Sequence, residues 1–187
     1  MATTRPRERL IAAATRLFAD EGIHATSVDR VIAEAGVAPM TVYRHFAGKD
    51  ELVTATLERW SGEWLGWLRD ESGPGDDARS RLEGLWDALE KWFANEGFRG
   101  SYVDNVATEL RAKPGHRAQP TMAAHRAALR ELLREIAAEA GAASPTGAAL
   151  QLQILIDGAT ALAVVDRQPG APASARALAT TVLAQAR

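Results

Sequence analysis

Cysteine is absent from the chain, so disulfides, thiolate catalysis and thiol redox sensing are all excluded. A charge-free apolar run long enough to span a bilayer is also missing. The most apolar stretch, Ala148 to Val165, carries Gln151, Gln153 and, near its middle, Asp157, which makes it a poor membrane span. The start, MATTRPRERL, lacks the apolar core of a signal peptide. No useful length of chain alternates with period two, so strands are not expected. Gly-rich phosphate loops and Gly-x-Ser-x-Gly elbows are absent. Asp104, Glu109, His116 and His125 lack the tight His-x-x-x-His or Glu-x-x-His spacing of helical metal sites. No metal, cofactor or enzymatic reaction is therefore expected. Positive charge is not in excess either, the net charge being −2. Residues 1–50 hold seven Lys/Arg against six Asp/Glu, with Arg5, Arg7 and Arg9 the one local cluster. Charge alone does not point to nucleic acid.

What remains is a chain of 187 residues, 47% hydrophobic and 25% charged, ordinary for a soluble globular protein with an ample core. A cytoplasmic location, with no membrane partner, is the expectation. Its most informative stretch runs from Thr26 to Val53, TSVDRVIAEAGVAPMTVYRHFAGKDELV. Val28, Val31, Ile32 and Ala35 form a helical stripe. Thr26 with Asp29 fits a capping box at the helix start. Gly36 suits the left-handed position that ends a helix. Pro39 suits the first turn of the next, over Met40 to Phe46. Helix, glycine-containing turn, helix is the geometry that lays one exposed helix in a DNA major groove.

Ala35-Gly36-Val37, then Thr41-Val42-Tyr43 with His45-Phe46, then Lys49-Asp50-Glu51-Leu52 resemble the TetR family of bacterial transcriptional repressors. The upstream segment from Arg9 through Leu17-Phe18 to Glu21-Gly22 resembles the family's first helix. The close match covers roughly the first quarter of the chain. Further on, the likeness is architectural, with a family-like run around Asp157-Gly158-Ala159. One departure is Ala38, where a serine often caps the recognition helix.

An all-α fold follows. A three-helix helix-turn-helix head over residues 1–48 would bind DNA. A helical bundle over 49–187 would bind ligand and dimerise, giving about nine helices with helix 4 linking head to body. On the third head helix, Pro39, Met40, Thr41, Arg44 and His45 should point outward, with Val42 and Phe46 packing inward. The resemblance implies that Met40, Thr41 and Arg44 face bases while Tyr43, His45 and Lys49 contact phosphates. Hydroxyl, imidazole and ammonium groups are suitable phosphate donors, and the Arg44 fork matches O6 and N7 of guanine. Thr26 and Ser27, at the start of helix 2, could reach phosphate too. Tyr43 is alternatively a half-buried core aromatic, and Thr26 only a cap.

In the body, Trp60, Trp64 and Trp67 share one helix face, followed by Trp86, Trp92 and Phe93. Such a stripe is either core or the wall of a pocket for an apolar or aromatic ligand. Tyr102, Asn105, Glu109, His125 and Asp157 are its candidate polar groups. Asp157, set in an apolar helix, needs a cation, water or hydroxyl as partner. The last two helices are apolar nearly all round, so a second buried face is expected. Leu150, Ile154, Gly158, Ala161, Leu162, Val165, Leu178 and Val182 would form a symmetric four-helix dimer interface, as the resemblance also implies. The expected function is a homodimeric repressor on a palindromic operator, released by a small apolar or aromatic effector. A constitutive DNA-binding dimer and an all-helical enzyme are the alternatives.

Overall fold

The computed structural model describes residues 5–73, 78–168 and 170–185. Among them the chain is all helical, in the order α1 (Pro6–Glu21), α2 (Val28–Ala35), α3 (Pro39–His45), α4 (Lys49–Ser72), α5 (Ala78–Phe93), α6 (Tyr102–Leu110), α7 (Gln119–Glu139), α8 (Pro145–Val165) and α9 (Ala171–Gln185). Helix breaks are expected from the sequence at Ser72-Gly73-Pro74-Gly75 and at Pro169 to Pro172; of these residues, Pro74, Gly75 and Pro169 lie outside the described residues.

Local chemistry sets the helix ends. Pro6 and Pro39 open α1 and α3, where a missing N–H costs nothing. Gly36 closes α2 at φ 58°, ψ 42°, the left-handed region that glycine enters without strain. The α2 cap departs from expectation by one residue. Ser27, not Thr26, accepts the N–H of Arg30, at 3.1 Å. Thr26 is buried instead, and its hydroxyl donates to the carbonyl of Gly22 at 2.8 Å. A hydroxyl turned inward must find a partner there, and the free carbonyl at the end of α1 supplies one. No side chain caps α3, consistent with alanine at position 38.

The chain forms two compact units. The first comprises the described residues up to Glu63 together with Ser101–His125. Leu10, Ala14, Leu17 and Phe18 of α1 are buried with Val31 and Ile32 of α2, Val42 and Phe46 around α3, and Leu52 and Val53 of α4. Tyr102, Val103, Val106 and Leu110 of α6 join the same core. Val42 and Phe46 thus anchor α3 through its inner side, as their spacing predicts.

The second unit comprises Trp64–Gly100 with residues from Arg126 onward. Its core contains Leu68, Leu85, Trp86, Leu89, Leu132, Leu133, Ile136, Leu152 and Ile156. The end of α4 lies so close to α5 that a Cβ on Gly84 would fall 2.8 Å from the Ser72 carbonyl oxygen. In this unit α9 runs along α8 and against α5. By length and composition alone α8 is apolar enough to cross a membrane, with a mean hydropathy of 1.7, although Asp157 lies near its middle. Here it serves as a bundle helix, with Gln153 buried and bonded to Arg130 at 3.2 Å.

Candidate nucleic-acid interface

The outer side of α3 is laid bare by the burial of its inner side. Met40 is 69% exposed and Tyr43 58%. Pro39, Arg44 and His45 are exposed with them, and Thr41 is half-buried. Tyr43 is therefore not a core aromatic. Ser27 is exposed at the start of α2, where its oxygen accepts from Arg30 and its hydroxyl keeps a donor for a further partner. Thr26, 1% exposed with its hydroxyl committed to Gly22, is withdrawn from the set of phosphate contacts.

The next helix adds a cation at a helix start. Lys49, the first residue of α4, is half-buried. That burial lowers its pKa from the ordinary lysine value, Glu109 opposing and Lys113 reinforcing the shift. Asp50 and Glu51 follow and would repel phosphate if left alone. Glu51 accepts the N–H of Ala47 at 2.7 Å and lies 3.5 Å from Arg117. Asp50 lies 3.2 Å from Nε2 of His116, without hydrogen-bond alignment.

Two charged side chains, Arg9 and Glu109, hold this unit's turns through contacts with distant backbone. Arg9 on α1 donates to the carbonyl of Ala35 and, at 2.7 Å, to that of Gly36. It satisfies the end of α2 just where the chain turns toward α3. Glu109 on α6 accepts the N–H groups of Ile23 and His24, both at 3.0 Å. These partners lie 26 and 86 residues away along the chain. The second contact corrects the placement of Glu109 in a ligand pocket, since its carboxylate is spent on the α1–α2 loop.

The other pocket candidates also scatter. Trp60 meets Tyr102 and His125, with ring centroids 5.8 and 5.6 Å away. His125 is buried and shares a 2.9 Å hydrogen bond with Ser61, and Tyr102 shares one of 2.9 Å with Thr56. Asn105 is exposed. In the second unit Trp64 is buried edge-on against Trp92, Trp67 is half-buried, and Trp86, 1% exposed, is core. Asp157 finds its cation within the chain, a two-pronged pair with Arg126 at 3.1 and 2.6 Å. Phe93 alone among the candidates borders the groove of about 500 Å³ between α5, α8 and α9.

Comparison with known proteins bears on this arrangement. Residues 10–56 match the family model described as bacterial regulatory proteins, tetR family. The crystal structure of a TetR-family transcriptional regulator from Streptomyces coelicolor superposes with a TM-score of 0.88 and 30% identity, covering 97% of this chain and 95% of that one. The chain belongs to the TetR family. The TetR-type match extends to the transcriptional activator FasR of Mycolicibacterium smegmatis, 32% identical over 55% of this chain and 48% of that protein. It also extends to the transcriptional repressor KstR2 of Rhodococcus jostii, 28% identical over 56% of this chain and 59% of that protein. The matched region thus spans only about half the length of these two curated relatives.

This TetR-family chain also exposes an apolar stripe. Leu150 (52%), Ile154 (60%), Leu162 (45%) and Val165 (77%) lie open along α8, with Gly158 and Ala161 exposed between them. Leu178 on α9 is 54% exposed and Val182 half-buried. The opposite side of α8 buries Leu152, Ile156 and Ala159, so the helix is apolar on both sides.

Proposed function

We propose that the chain is a sequence-specific DNA-binding repressor, acting as a homodimer on a palindromic operator and released by a small apolar or aromatic effector. The observation that carries the reading is the outward face of α3. Met40, Tyr43, Arg44 and His45 stand in solvent on a helix whose Val42 and neighbouring Phe46 are buried. The exposed methionine offers apolar contact surface and the exposed tyrosine a ring with a hydroxyl donor. Guanidinium, imidazole and phenol together match base edges and phosphates. Met40, Thr41 and Arg44 are assigned to bases, with Pro39 exposed beside them at the start of the helix. Tyr43, His45, Lys49 and Ser27 are assigned to the backbone.

Functionally, residues 1–48 serve as the DNA-binding head and 49–187 as the ligand and dimer body. The open stripe on α8 and α9 supports a second copy as its cover. Two heads about 34–36 Å apart then reach successive major grooves. Effector binding to the body favours a form in which the heads no longer fit that spacing, and operator DNA weakens effector binding by the same factor. A regulator of transcription works in the cytoplasm. The repressor sense accords with the name of KstR2, whereas FasR is called an activator.

The test is binding of the purified protein to the DNA flanking its own coding region, with random DNA as competitor. Expected is a salt-sensitive complex with two protomers per palindrome, weakened by effector. A complex that random DNA displaces as readily as the specific site contradicts the reading.

A further inference from the structure

The groove between α5, α8 and α9 is bordered by Phe93, Phe98, Ala163, Arg167 and Pro172. At about 500 Å³ it lies within the range of small-molecule sites. Its aromatic side is preassembled. Phe98 stands edge-on to Phe93, with centroids 5.1 Å apart, and at 90° to Trp92 at 4.9 Å. Flat apolar ligands gain most from such walls.

The charged groups around it are not equivalent. Glu90 borders the groove, but Arg176 reaches it at 3.3 Å and Asp87 at 2.6 Å. Arg167 has no ion pair or side-chain hydrogen bond among the described residues, and it is exposed. Its backbone is unusual too. Arg167 is the one described non-glycine residue with positive φ, 51°. It stands just past α8, where the N–H of Gln168 reaches back to the Leu162 carbonyl at 3.2 Å. Helix ends of this type favour glycine at the left-handed position, and a side chain there carries a steric cost. The cap needs no arginine. A free guanidinium at the mouth of an aromatic groove does fit an anion.

We infer that this groove binds an apolar, ring-containing carboxylate, its ring against Phe93 and Phe98 and its carboxylate on Arg167. The role of the ligand as effector rests on the function proposed above, while the chemistry of the site is tested without DNA. Calorimetric titration of the DNA-free protein would use 2-naphthoate and its neutral counterpart 2-naphthylmethanol. The wild type should bind the carboxylate roughly fivefold more tightly than the alcohol, as a partly exposed guanidinium–carboxylate pair allows. Arg167→Gln should abolish that preference and leave the alcohol unchanged. Ala163→Phe, which fills the groove and leaves the cation, should lose both probes while melting like the wild type. A carboxylate preference that survives Arg167→Gln overturns the inference, as does undiminished binding to Ala163→Phe or no binding to the wild type. Operator affinity measured separately decides the effector role: a ligand bound with this Arg167 dependence but without effect on DNA contradicts that role and leaves the site standing.

Discussion

The Arg9 guanidinium on α1 donates to the carbonyl oxygens of both Ala35 and Gly36, the last residue of α2 and the glycine that ends it. A Cβ on Gly36 would stand 2.9 Å from Arg9 Nη2. Glycine is needed here for its φ of 58°, and a Cβ would also push the mobile end of the Arg9 side chain away from its two carbonyls. Arg9→Ala should destabilise the chain by about 1–2 kcal/mol, the ordinary worth of charge-assisted hydrogen bonds to carbonyls left without partners. Gly36→Ala should cost about 1 kcal/mol or more from the backbone alone. Denaturant titration measures both; an unchanged midpoint for Arg9→Ala would show that solvent replaces the contact.

Lys49→Ala should weaken binding to every DNA sequence alike and flatten the salt dependence by about one unit, because one phosphate contact releases about one counterion. Titrations at several salt concentrations measure the slope. A sequence-dependent loss would assign Lys49 to bases.

An acidic residue in the open stripe of α8 should keep the protein monomeric. Ile154→Glu buries an unpaired carboxylate wherever the stripe is covered, costing about 2 kcal/mol or more of association. Sedimentation equilibrium separates the outcomes: a wild-type dimer with a dissociating variant is expected. A variant dimerising like the wild type would move the interface elsewhere.

Tyr102 connects to alkaline stability. Burial pushes its phenol pKa far above the ordinary value near 10, although the Thr56 hydrogen bond pulls the other way. The folded protein therefore holds the proton that the unfolded chain releases. The stability from this group is intact below the unfolded pKa of about 10 and declines as pH rises beyond it. Tyr102→Phe should flatten that alkaline decline. Melting temperatures from pH 8 to about 11 measure it, and parallel profiles for both proteins would locate the alkaline loss in other groups.

Much of the head was legible because its signals are local. Gly36 and Pro39 act through their own backbone, and the spacing of Val42 and Phe46 states which side of α3 is buried. Thr26 and Ser27 show the limit of such signals. Adjacent hydroxyls are equally good caps, and only tertiary burial decides which one turns inward. The Arg9 and Glu109 contacts had no local signature, since each joins a charge to backbone groups of a distant turn. The tryptophan series was legible as a helix face but not as a site. Trp60 joins Tyr102 and His125, whereas Trp64 joins Trp92. The αL arginine at position 167 went unseen because the sequence around it, Asp-Arg-Gln-Pro-Gly, marks a loop without marking which residue takes positive φ.

The measurement that bears most directly on DNA reading by α3 is selection of sites from a randomised duplex pool, carried out with the wild type and with Arg44→Ala. The wild type should enrich one palindrome with half-sites about one helical turn apart. The variant should enrich the same palindrome with preference relaxed at one base pair per half-site, at a cost of about 1–3 kcal/mol on the wild-type site. Failure of the wild type to enrich any sequence, or identical preferences from both proteins, would contradict the assignment of α3 as the reading helix and of Arg44 as its base contact.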